Sequence, residues 1–336
     1  MISYKEIRDV HLEISSLCNA SCPWCPRTFW GYPYNGGYAE LNLTLAAAEK
    51  IFIPEFLLQL TSVRINGNFG DIVMNPEAVD IVEYFIEQNS KLIISINTNG
   101  GARGREFWQK LAHTGAIVSF ALDGLEDTHY LYRQNTVWHT VIKNAMEFID
   151  HGGRAVWQMI KFNHNLHQID QCRDMSKKLG FQHFNLVNDG RDTAPVFDKH
   201  GNLTHVIGDY RGQTDFKILF HNKKNDDVLL EDIVQEREPK EKISCESQRL
   251  GSIYIAANGD VSPCCWTGLY PKTYGRGQYH QAVNAQIAPM IKQNNALEHS
   301  IQECIKWFAE IEQSWRSKTY ETGRLVVCDD NCGSNL

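Results

Sequence analysis

From about residue 11 to 190 the chain alternates short apolar runs with stretches whose apolar residues recur every three or four positions. HLEISS, SVRIN, KLIISINT, IVSFALD, RAVWQMIKF and HFNLVND read as six strands. Between them, Ala78, Val79, Val82, Phe85 and Ile86 share one helical face in a helix predicted to open at Asn75 and Pro76. A second helix spans about 141–149 and stops at Gly152 and Gly153, and a third carries Ile169, Cys172, Met175 and Leu179 on one stripe. Strands alternating with helices predict an α/β fold with a parallel sheet in residues 1–195. Residues 196–243 are rich in Asp, Lys, Glu and Asn and read as a polar linker or lid. A second module is expected over 244–336, with a hairpin in YIAANGDVS turning at Asn258 and Gly259.

Composition narrows the class. The chain has 336 residues, 43% of them hydrophobic, enough for a large core. No apolar run has membrane-spanning length, and charged Lys5, Glu6, Arg8 and Asp9 stand where a signal peptide would be apolar, so a cytoplasmic, membrane-free protein is expected. The net charge of −7 argues against a nucleic-acid partner. Ten cysteines without an export signal read as thiolate ligands in a reducing compartment. Walker-type loops, dinucleotide glycine fingerprints and Ser-His-Asp signatures are absent from the sequence.

The densest chemistry lies in CNASCPWC, where Cys18, Cys22 and Cys25 fall within eight residues. Three thiolates hold three corners of a four-iron, four-sulfur cube and leave one iron open to a further ligand. Structural zinc sites instead take four ligands, commonly as paired CxxC. This spacing, with Trp24 before the last cysteine, resembles the signature of the radical S-adenosylmethionine (SAM) superfamily.

The resemblance implies a partial (β/α)6 TIM-like barrel whose 4Fe-4S cluster is held by Cys18, Cys22 and Cys25, with SAM chelating the open iron. One electron from an external donor such as flavodoxin or ferredoxin then yields a 5'-deoxyadenosyl radical that abstracts hydrogen from a substrate C–H bond. Trp24 is expected against the adenine. Gly70 and Asp71 match the turn that takes the SAM amino group, although FGD stands where Gly-Gly-Glu is familiar. Thr98 and Asn99 match the end of the third strand. Asp123 and Gly124 match the fourth, with Ala121 in place of the usual serine and Ser119 as a substitute on the same strand face. Arg133 is a candidate partner for the SAM carboxylate, or a solvated surface arginine. Lys161, Asn163, His164 and Asn165 are candidates for substrate or ribose contacts, or loop-closing groups.

Beyond the barrel, the arrangement of Cys245, Gly259 and Cys264 resembles the opening of SPASM and Twitch domains, implying a second, auxiliary 4Fe-4S cluster on Cys245, Cys264, Cys328 and Cys332. The last pair is separated by three residues rather than the usual two, and a structural zinc is the competing reading. Cys265 is expected on the strand face opposite Cys264, as a hydrogen-atom donor, substitute ligand or buried spectator. Cys172 and Cys304 sit on apolar stripes and read as core. The implied reaction is dehydrogenation or epimerisation of a small polar molecule such as a sugar or aminocyclitol. That tilt rests on the first strand starting near residue 11, leaving no peptide-recognition domain before it. Maturation of a ribosomally made peptide is the alternative within the superfamily, and a noncatalytic iron-sulfur carrier the alternative outside it.

Overall fold

Strands β1 (Asp9–Leu12), β2 (Ser62–Ile65), β3 (Ile93–Thr98), β4 (Ile117–Ala121), β5 (Arg154–Ile160) and β6 (His183–Val187) stand side by side in chain order, every neighbouring pair parallel. The computed structural model describes residues 2–34, 38–188, 190–191, 193–222, 237–269 and 278–334; residues 223–236 of the stretch read as linker or lid lie outside the described residues. Helices α1 (Leu45–Ile51) and α2 (Pro54–Gln59) follow β1, α3 (Ala78–Gln88) follows β2, and α4 (Arg105–His113) follows β3. Next come α5 (Glu126–Tyr132) and α6 (Trp138–Asp150) after β4, and α7 (Ile169–Lys178) after β5. The helix expected to open at Asn75 and Pro76 begins at Ala78, after a single 3-10 turn at Ile72–Met74. Asn75 is consumed by the turn: its buried Nδ2 donates to the carbonyls of Ile14 (2.7 Å) and Leu43 (2.8 Å).

The pleat explains what each strand buries. Val10, Leu12, Val63, Ile65, Ile94, Ile96, Val118, Phe120, Ala155, Trp157 and Met159 form one core with Val82 and Phe85 of α3, Trp108 and Leu111 of α4, and Ala145 and Phe148 of α6. Truncating a ring such as Phe120 in this layer would cost about 3–5 kcal/mol. The alternate positions, Asp9, His11, Arg64, Ser95, Asn97, Ser119, Gln158 and Asn185, lie on the opposite face. Parallel sheets are usually apolar on both faces. The polar groups on this second face, set among Ile93, Ile117 and Val156, therefore read as the lining of a working interior.

The predicted hairpin forms as β9 (Ser252–Ile255) and β10 (Val261–Ser262), with Gly259 at φ +88 supplying the left-handed turn residue. Its first strand pairs in parallel with β1, Asp9 against Ser252 through Leu12 against Ile255. The sheet order is thus β10-β9-β1-β2-β3-β4-β5-β6, open at both edges: a partial barrel.

The start of the polar stretch is more structured than its composition suggested. β7 (Ala194–Phe197) and β8 (Leu203–Ile207) form an antiparallel hairpin. Asp198 closes it by accepting from the backbone N–H groups of His200 (2.8 Å) and Asn202 (2.9 Å). Ala194, Val196, Phe197 and Ile207 are buried.

Candidate active site at the strand ends

The cysteine loop grows from the carboxyl end of β1 and is shaped by its own backbone. Cys25 N–H donates to the Cys22 carbonyl (3.0 Å), and the Thr28 hydroxyl donates to the same carbonyl (2.7 Å). Cys22 packs with Ala20, Tyr132, Ile160, Phe162, Val196 and Ile207, while Cys18, Trp24 and Cys25 lean on that cluster half-buried. The β7–β8 hairpin thereby roofs the loop. Burial raises the pKa of Cys18, and the neighbouring charges of Asp71, Cys25 and Cys22 add to the rise. Burial pushes Cys22 up to about 11 against the opposing pull of Arg133. Thiols held this way must release protons to bind a metal, so loading is coupled to pH.

Two buried polar networks flank the loop. In the first, Asp71 accepts from the Thr98 hydroxyl (2.6 Å), Asn99 N–H (2.7 Å) and Asn99 Nδ2 (2.8 Å). Asn99 Nδ2 also lies 3.6 Å from Cys18 Sγ and 3.0 Å from Asn19 Oδ1. Burial raises the Asp71 carboxyl pKa, opposed chiefly by the Thr98 hydrogen bond. The preceding Gly70 is required by space, since a Cβ there would stand 1.7 Å from the Ser15 carbonyl oxygen. Asp71 N–H donates to the Leu17 carbonyl (2.9 Å), tying the turn to the residue before Cys18.

In the second, Arg133 Nε donates to Asp123 Oδ2 (2.6 Å), and its Nη1 lies 4.0 Å from Cys22 Sγ. Asp123 Oδ1 accepts from Ile160 N–H (2.6 Å). Burial raises the Asp123 pKa, opposed first by the Arg133 charge. The solvated-surface reading of Arg133 is overturned, because its side chain is only 14% exposed. His129, fully buried, holds the turn: Nδ1 accepts from Asp123 N–H (3.3 Å) and Nε2 meets the Thr136 hydroxyl (3.0 Å). That hydroxyl donates to the Arg133 carbonyl (2.9 Å), so Nε2 carries the imidazole proton.

Trp24 sits edge-on to Trp30 at 4.7 Å, and its Nε1 meets no hydrogen-bond partner among the described residues. Buried His164 Nε2 is likewise without a partner there, its ring stacked on Phe162 at 5.0 Å. Asn165 closes its loop, with Nδ2 donating to Ile160 O (2.9 Å) and Oδ1 accepting from Phe162 N–H (2.8 Å). Ser119 stays in the body of β4, level with Asn97 and Val156, below the strand ends.

The second cysteine set also converges. Cys245, Cys264, Cys328 and Cys332 line one cavity with Phe308, Trp315 and Val327. Cys245 and Cys332 share a hydrogen bond that raises the Cys245 thiol pKa and lowers that of Cys332. Cys265 departs from expectation. The strand stops at Ser262, because Pro263 has no N–H for the ladder, and Cys265 opens helix α8 (Cys265–Leu269). It is therefore not on an opposite strand face. Its carbonyl accepts from Asn68 Nδ2 (2.9 Å), and burial pushes its thiol up to about 12. Cys172 and Cys304 are fully buried in the core.

Among the described residues no three His, Cys, Asp or Glu side chains are gathered to grip a single metal ion. The donor chemistry still suits iron-sulfur clusters: three thiols on one loop, four around one cavity, and orphaned ring nitrogens beside the first set. No family model and no curated protein matches the sequence. Solved structures match its fold. The crystal structure of Streptococcus suis SuiB bound to precursor peptide SuiA is similar over 97% of this chain and 72% of that one, with 15% identity and a TM-score of 0.60. Native anSMEcpe with bound AdoMet is similar over 98% of this chain and 93% of that one, with 16% identity and a TM-score of 0.56. The chain shares its fold with these two structures. With that fold, the cysteine loop, the Gly70–Asp71 turn, Asn99 and Asp123 all stand at the carboxyl ends of the parallel strands, where barrel enzymes keep their chemistry. Among the described residues no helix is long and apolar enough to cross a membrane.

Proposed function

We propose that this chain is a radical SAM enzyme that removes hydrogen from an unactivated C–H bond of a polar substrate. Cys18, Cys22 and Cys25 would hold a 4Fe-4S cluster. Trp24, Gly70, Asp71, Thr98, Asn99, Asp123 and Arg133 would surround SAM, with Ser119 lying deeper in β4. Together these groups supply, when bound, a one-electron reductive cleavage that delivers a carbon radical to the substrate. The observation that supports the reading is the placement of Cys18 beside the Asp71–Asn99 network and of Cys22 beside the Asp123–Arg133 network at one end of an open parallel sheet.

The protein's own contribution is placement and shelter. Asp71 fixes the turn to the end of β3, Arg133 sets a delocalised cation beside Cys22, and Val196 and Ile207 of the β7–β8 hairpin pack against the loop. Cys245, Cys264, Cys328 and Cys332 would hold a second 4Fe-4S cluster in a carboxyl-terminal module spanning 244–336, next to the barrel module of 1–195. Such a cluster suits accepting the electron left after hydrogen removal. The net reaction would then be dehydrogenation, the substrate radical giving one electron to that cluster and a proton to solvent, or epimerisation, in which Cys265 returns a hydrogen atom and its thiyl radical is reduced by an electron from the external donor with a proton from solvent, on a substrate such as a sugar or aminocyclitol. A peptide substrate is the second reading, supported by the likeness to SuiB bound to its precursor peptide and to anSMEcpe with a bound Cp18Cys peptide. A low-potential flavodoxin or ferredoxin in the cytoplasm would supply the electron.

Metal analysis after anaerobic reconstitution tests this. The reading expects about eight irons and eight sulfides per chain, falling by about half when Cys18, Cys22 and Cys25 are all replaced by serine. About four irons plus one zinc would assign the second site to zinc. Zinc at the amino-terminal triad would refute the proposal.

A further inference from the structure

Beside the Gly70–Asp71 turn lies a cavity of about 230 Å³, between Tyr38–Leu41, Phe69 and the tip of the β9–β10 hairpin. That is room for roughly seven water volumes. Glu13 forms its charged wall and is only 1% exposed. Its Oε1 accepts from the backbone N–H groups of Phe69 (2.7 Å) and Gly70 (3.0 Å), and its Oε2 accepts from the Tyr254 hydroxyl (2.7 Å). Three donors aimed at one carboxyl stabilise its ionised form. Burial, and then Glu13, raises the Tyr254 hydroxyl pKa well above its ordinary value.

The remaining walls are apolar with two polar edges. The rings of Tyr38 and Phe69 stack at 4.4 Å, Leu41, Ala256 and Ala257 complete the apolar lining, and Ser16 and Asn258 add polar groups. Arg27 lies over the Tyr38 ring at 5.5 Å, and its charge is met by Glu40 at 3.1 Å. A buried carboxylate between aromatic faces and small aliphatic residues favours a cation with an apolar body.

We propose that this cavity is a subsite for a protonated amine of the substrate, the ammonium meeting the Glu13 carboxylate while its stem packs among Tyr38, Phe69, Leu41 and Ala256. This rests on the function proposed above and narrows its substrate class. Two sources share the chemistry: a lysine side chain of a peptide, and an amino group on a polyol ring.

Calorimetric titration of the full-length reconstituted protein separates them. The probes are Nα-acetyl-lysine N-methylamide against its norleucine analogue, and 2-deoxystreptamine against myo-inositol. One amine is expected to bind at least about tenfold tighter than its uncharged analogue, and the arm that binds names the source. Glu13→Gln should weaken that binding by a similar factor. Ala256→Leu, which fills the cavity and leaves the Glu13 hydrogen bonds in place, should do the same, and it decides the matter if Glu13→Gln unfolds. Equal binding of amine and neutral analogue, no binding by either amine, or an unaffected Ala256→Leu variant overturns the subsite. Release of 5'-deoxyadenosine from SAM is read in parallel: amine binding without it counts against the radical SAM reading alone, and cleavage without amine binding counts against the subsite alone.

Discussion

Arg133 and Asp123 form an ion pair at 2.6 Å in which the carboxylate is fully buried. Removing one member leaves a buried charge without its counter-ion, which typically costs about 3–5 kcal/mol. Arg133→Met should therefore lower the unfolding free energy by that amount in urea titration. Adding Asp123→Asn should recover part of it, giving a coupling energy in the double-mutant cycle. Simple additivity of the two losses would contradict the pair's role in holding the turn beside Cys22.

Gly70 faces the Ser15 carbonyl so closely that any side chain must displace backbone. Gly70→Ala is expected to destabilise by about 3 kcal/mol or more. Gly104, with nothing within 4 Å and φ −89, is the control. Gly104→Ala should stay within about 1 kcal/mol of the parent. Equal effects in thermal unfolding would show that the turn is not constrained as described.

The Thr98 hydroxyl donates to Asp71 at 2.6 Å and accepts from Gly100 N–H at 3.0 Å. Thr98→Val keeps the shape and removes both bonds, so a loss of about 1.5–3 kcal/mol is expected, the range for a hydrogen bond to a charged group. The same variant should weaken SAM binding, because the Asp71 turn loses its tie to β3. Unchanged stability and SAM affinity would separate Asp71 from the site.

His129 gives the fold a pH dependence. Burial, helped by the Arg133 charge, pushes its pKa down to about 3, against an ordinary value of 6.5. The unfolded chain takes up this proton as pH falls below 6.5 while the folded chain does not. Stability is therefore full above 6.5 and declines toward pH 3, by up to about 1.4 kcal/mol per pH unit from this residue. Urea unfolding at pH 7.5, 6.5 and 5.5 should show the decline, with a flatter slope in His129→Gln. Identical slopes would mean that His129 does not titrate differently on folding.

The alternation of apolar runs and helical stripes made β1 to β6 legible because each strand pairs with its neighbour in sequence. It gave no sign that β9 is the far neighbour of β1, since the pairing joins Asp9 to Ser252 across most of the chain. Cys18, Cys22 and Cys25 stood out by spacing, whereas Glu13 did not, because a buried polar residue looks like any other until its donors and acceptors are placed; His129 was legible only as standing one helical turn before Arg133, where a surface pair was the commoner expectation, and it is buried. The β7–β8 hairpin was hidden by the polar residues of its turn, of which Lys199, His200 and Asn202 are exposed even though Val196 and Phe197 beside them are buried. Cys265 was misplaced because Pro263 ends the strand before it, a stop that the apparent alternation obscured.

Anaerobic incubation of the reduced, reconstituted full chain with SAM, followed by quantitation of 5'-deoxyadenosine, tests the central claim most directly. Cleavage by the parent protein, abolished by Cys22→Ser, is the predicted result. Undiminished cleavage in Cys22→Ser, or none by the iron-loaded parent with amine, sugar and peptide substrates supplied, would contradict it.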